Sequence, residues 1–91
     1  MMEPAERIRS RLVDSQKRLA RIRDQTQGII GAADDLEETA ARDVRRLRHE
    51  LNVATGPDRE IAEAEYLNAL DRRRRAGQAG TLARRTLAKV T

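Results

Sequence analysis

From Ala5 onward the chain places apolar or small residues alternately three and four positions apart, through Ile8, Leu12, Ser15, Leu19 and Ile22 to Thr26, Ile29, Ala33, Leu36 and Ala40. That is a heptad seam, the pattern of a helix that lays one narrow stripe against another helix. Two consecutive four-residue steps, Leu36 to Ala40 to Val44, make a stutter that locally unwinds a supercoil, and the series then continues through Leu47, Leu51 and Ala54. Unbroken, residues 4–54 form a rod of about 75 Å at 1.5 Å per residue. A rod of that length excludes a compact globule.

The weak point of the rod is Gln27-Gly28-Ile29-Ile30-Gly31, because each glycine inside a helix costs about 1 kcal/mol relative to Ala. If this is a turn, Asp34, Asp35, Glu37 and Glu38 open a new helix, Arg42, Arg45, Arg46, Arg48 and His49 close it, and three helices form a self-contained coiled-coil bundle. The apolar phase passes the glycines without a slip, which a loop has no reason to preserve. The pattern therefore favours one helix, bent or locally loosened at Gly28 and Gly31.

Thr55-Gly56-Pro57-Asp58 is the clear turn. Gly and Pro stop the first helix, and Thr55 with Asp58 offers a cap for the next. The second helix is expected over about residues 58–76, with Ile61, Ala64, Leu67 and Leu70 drifting around its surface, Ala62 and Tyr66 widening the apolar sector, and a core face less sharply defined than that of the first. Gly77 and Gly80 then suggest a second break. Beyond it Leu82, Ala83, Thr86, Leu87 and Val90 lie on one helical face opposite Arg84, Arg85 and Lys89. So short a helix does not hold alone in water, so it orders only against something else. The expectation is an all-α protein: a hairpin or coiled-coil domain over residues 1–76 and a basic, conditionally helical tail over 77–91.

Composition agrees with long helices and disfavours other classes. Charged residues make up 37% and aromatics 1% of the chain, and no segment alternates with the period of a strand. A chain of 91 residues without cysteine has neither a large core nor a disulfide framework, so long helices, a partner or further copies must supply its stability. No stretch is apolar enough for a membrane span, and Met1-Met2-Glu3-Pro4 opens no signal peptide, so a cytoplasmic location is expected and membrane contact is not.

Charge is segregated along the sequence: residues 1–31 carry net +3, 32–54 net −2, 55–70 net −3 and 71–91 net +6. Folding back at Gly56 sets the acidic segment beside the end of the first rod and leaves its basic N-terminal half in need of an acidic neighbour.

Catalytic chemistry has little to build on. There is no cysteine, His49 is the sole imidazole, and the residue four positions after it is Val53, where a zinc-protease helix needs a second histidine. Asp34, Asp35, Glu37 and Glu38 fit a helix start better than a metal site, and Gly28 to Gly31 lacks the Lys-Ser/Thr of a phosphate loop. No cofactor, metal or small-molecule substrate is expected. The turn residues and the absence of Trp also separate this chain from the small secreted helical hairpins marked by a Trp-x-Gly turn.

Two surfaces remain. The seam residues Ile8, Leu12, Leu19, Ile22, Ile29 and Leu36 are candidates for helix pairing with a protein partner or a second copy. Arg72-Arg73-Arg74-Arg75 with Arg84, Arg85 and Lys89 are candidates for an acidic protein surface or for phosphates of nucleic acid, although four consecutive arginines point around a helix and no aromatics accompany them for base stacking. The expected function is a non-catalytic structural or adaptor protein acting by helix-helix association. The alternative is a nucleic-acid-associated protein that grips the phosphate backbone.

Overall fold

The computed structural model describes residues 3–91. It contains two helices, α1 over Pro4–Val53 and α2 over Pro57–Val90, packed antiparallel as a hairpin, with no strand among the described residues. Its longest dimension is 79 Å.

The α1 helix runs through Gly28 and Gly31 without interruption, so the chain is a two-helix hairpin and not a three-helix bundle. A β-carbon added at either glycine would meet nothing within 4 Å. Neither packing nor backbone geometry demands glycine there, and the propensity cost is small beside the cooperativity of a long helix.

At the turn, Gly56 takes φ 62° and ψ −140°, a conformation closed to residues with a β-carbon. Pro57 follows as the first helical residue, where its missing N–H and fixed φ cost nothing. The N-cap is thus Gly56, not Thr55, and no side-chain cap forms. The Ala54 N–H donates to the Glu50 carbonyl at 2.9 Å, closing α1, and the Arg59 N–H donates to the Gly56 carbonyl at 3.1 Å, opening α2.

Small residues decide how the helices meet. On α1, Thr26, Ala33, Ala40 and Leu47 lie seven apart and all are buried; on α2, Ala62, Ala69, Ala76 and Ala83 do the same. Two such rows let the backbones approach closely. Ala69 is fully buried and joins Val44 and Leu47 in the core near the turn, flanked by Tyr66 and Leu70. The Thr26 hydroxyl, buried in the row, donates to the Ile22 carbonyl at 2.6 Å and so leaves no unsatisfied polar group.

This arrangement sharpens one expectation for α2 and corrects another. Its inner face is the alanine row, while Ile61 and Leu67 stand on the outside. And α2 does not break at Gly77 and Gly80: the helix runs on to Val90, and residues 77–91 are not a separate element. Gly80 is buried against α1, where an added β-carbon would stand 3.6 Å from Cβ of Ala33. Gly80 thus adds to the small-residue surface, while Gly77, half-buried, lies against the Glu37 side chain, and neither interrupts the helix.

Candidate interaction surface

Gly80 faces Ala33, so Val90, ten residues further along α2, stands level with Arg23, ten residues back along α1. Residues before Arg23 therefore extend past the end of α2. This overhang, Pro4–Ile22, is about 28 Å long at 1.5 Å per residue.

The hairpin splits the α1 seam into two rows. Leu12 and Leu19 continue into Thr26, Ala33, Ala40 and Leu47, and α2 covers that row only from Thr26 onward. Ile8, Ser15, Ile22, Ile29 and Leu36 form a second row, seven residues apart, one step around the helix. Nothing covers the second row. Of the six seam residues the sequence singles out, all are exposed, between 41% for Ile22 and 64% for Leu36. On the overhang both rows are bare; along the hairpin only the second is.

The uncovered row borders α2. Ile29 and Thr26 line a shallow apolar groove with Ala79, Leu82, Ala83 and Thr86, and Leu82 is 66% exposed. Further toward the turn, Leu36, Thr39 and Ala40 line its continuation with Ala76, Arg72 and Arg75. The exposed stripe is thus a groove with two walls where the helices pair and a single bare helix where they do not.

No protein-family model, curated protein or solved structure matches the chain. The surface must be judged on its own chemistry.

The basic candidates divide into two groups. Arg84 donates through Nη2 to both carboxylate oxygens of Asp34, at 2.7 and 2.8 Å. Arg74 and Arg75 hold the two oxygens of Asp71 at 2.7 and 2.8 Å, and Arg72 lies 3.6 Å from Asp43 on α1. No ion pair joins Arg73, Arg85 or Lys89 to a carboxylate among the described residues. Successive arginines point about 100° apart around α2, so the four do not form one patch. The guanidinium of Arg74, donating to Asp71, holds that carboxyl below its ordinary value, and the charges of Arg75 and Arg74 act in the same direction.

Among the described residues no group of His, Asp or Glu is placed to hold a metal ion, and no helix is long and apolar enough to cross a membrane. His49 lies exposed on α1.

Sequence reasoning missed the alanine row, although the seven-residue spacing of Ala62, Ala69, Ala76 and Ala83 was there to be found. Weighting by residue size drew attention to Ile61 and Leu67. It also missed the pairing of Arg84 with Asp34, which the opposite net charges of residues 71–91 and 32–54 foreshadow.

Proposed function

We propose that this chain is a non-catalytic structural or adaptor protein that works by helix-helix association within a larger protein assembly. The observation that carries this reading is the bare overhang, where Ile8, Leu12, Leu19 and Ile22 stand exposed along one face of the helix. A continuous apolar stripe of this kind marks an interaction surface, because isolated exposed leucines are ordinary but an ordered row is not. The partner is a protein helix, since the heptad spacing fits knobs of another helix and offers no concave site for a small molecule.

Phosphate binding through the basic residues of α2 is less well supported. Arg72, Arg74, Arg75 and Arg84 already answer carboxylates of the same chain, and the remainder point in several directions.

A photo-reactive benzoylphenylalanine in place of Leu19, illuminated in the cells that make the protein, tests the reading. A protein adduct is expected, lost when Leu12→Asp is introduced beside it. Absence of any protein adduct, or adducts sensitive only to nuclease, overturns it.

A further inference from the structure

We propose that the occupant of the exposed stripe is a second copy of this chain, bound antiparallel about a two-fold axis at Ile22. The inference rests on the reading of the seam as a helix-pairing surface and names its partner and register.

The second row is self-complementary when reversed. With Ile22 opposite its own counterpart, Ile8 comes level with Leu36 of the other copy and Ser15 with Ile29, so every residue of the row meets another member of it. A surface that matches itself under a two-fold rotation is what a closed homodimer requires. The same register aligns the overhang, residues 4–22, with residues 22–40 of the second copy, the part of α1 that carries the groove beside α2. Leu12 then comes level with Leu82 across the groove, and each half of the dimer becomes a three-helix bundle of α1, α2 and the other copy's overhang.

Within α1, charge favours this orientation over the parallel one. Residues 4–22 hold Arg7, Arg9, Arg11, Lys17, Arg18 and Arg21 against Glu6 and Asp14, net +4. Residues 23–40 hold Arg23 against Asp24, Asp34, Asp35, Glu37 and Glu38, net −4. Antiparallel pairing lays the first segment along the second in both halves; parallel pairing in register lays like on like. On the α2 side, Arg72 and Arg75 line the groove beside Leu36 and are answered by Asp43 and Asp71, while nearer the end of α2 the groove carries Ala79, Leu82 and Thr86.

The area is sufficient. Ile8, Leu12, Leu19, Ile22, Ile29 and Leu36, with Leu82, are each about half exposed. At on the order of 100 Å² apiece they offer about 700 Å² per copy, close to the 800 Å² of a standard interface.

The native chain has no cysteine, so single cysteines report the register. Ile22→Cys, Ile8→Cys and Leu36→Cys are purified, their helicity is checked by circular dichroism, and each is treated alone and in pairs with a short bismaleimide. Light scattering gives the mass of the unmodified chain. A mass twice the 10.3 kDa of one chain is expected, with Ile22→Cys linking to itself and Ile8→Cys linking to Leu36→Cys but not to itself. In the proposed dimer the two Ile8 positions are about 42 Å apart. Self-linking of Ile8→Cys indicates parallel pairing and overturns the inference, as does a mass above the dimer; either leaves the helix-pairing reading standing. A monomer without cross-links also overturns it. The Leu19 photo-adduct in cells then separates a foreign protein partner from the failure of both.

Discussion

Arg84 and Asp34 meet fifty residues apart in sequence, one guanidinium nitrogen donating to both carboxylate oxygens. This contact ties the last turns of α2 to the middle of α1, in the region where an added β-carbon on Gly80 would stand 3.1 Å from Nη1 of Arg84. Both side chains are about half exposed, 52% and 48%, so solvent screens the pair and its contribution is less than about 1 kcal/mol. Its effect is local. Arg84→Gln should lower the urea midpoint only slightly, with the loss shrinking at high salt, while amide exchange in residues 80–90 accelerates more than exchange near the turn. Uniform acceleration along α2 would show that the pair does not anchor this end.

The alanine rows make a sharper prediction. Ala69 is 0% exposed, and a larger side chain there must push the helices apart. Ala69→Leu should cost about 1–3 kcal/mol by urea denaturation at fixed protein concentration. Leu67→Ala, on the outer face, should change stability by no more than about 0.5 kcal/mol. The reverse ranking would place the interface on the larger residues.

That contrast also explains what was legible in the sequence. The all-helical class, the turn at Gly56-Pro57 and the extent of α1 follow from local rules: a three-four spacing, a glycine at positive φ and a proline at the first helical position. The α2 face does not, because hydrophobicity ranks Ile61 and Leu67 above Ala62 and Ala69, while close helix packing ranks them in the opposite order. Gly77 and Gly80 were misjudged for the same reason. As breakers they end a helix; in the hairpin Gly80 packs beside Ala33 and Gly77 lies against the Glu37 side chain, and local sequence does not distinguish the two roles. For the seam, the spacing identified the apolar stripe, and only the position of α2 on the Thr26-to-Leu47 row divides it into covered and bare parts.

The glycines of α1 stand in a different position. Gly28 and Gly31 are exposed, helical, and free of any atom that a β-carbon would meet within 4 Å. Replacing either by alanine removes backbone freedom from the unfolded chain without strain in the folded one, so each of Gly28→Ala and Gly31→Ala should stabilise by about 0.4–1 kcal/mol. Gly80→Ala should gain less, because the new methyl presses on the Arg84 guanidinium and shifts it from Asp34. Chemical denaturation of the three variants ranks them. A destabilised Gly28→Ala would mean that the helix needs flexibility at that point.

Asp71 should contribute to the loss of stability in acid. Arg74 donates to this carboxylate and Arg75 sits beside it, so its folded value lies below the unfolded one of 3.8. For a carboxylate lowered on folding, the unfolded state binds the proton more readily. The stabilisation is therefore fully present above the unfolded value and disappears as pH falls through the folded one. Between pH 7 and 5 the melting temperature should not respond to this group; below about pH 4 it should fall. Asp71→Asn should flatten that part of the profile while leaving the neutral-pH melting temperature little changed, because the pairs are on the surface. Melts followed by circular dichroism from pH 7 to 2, at one protein concentration, measure both curves. An acid limb equally steep in Asp71→Asn would remove Asp71 from the account.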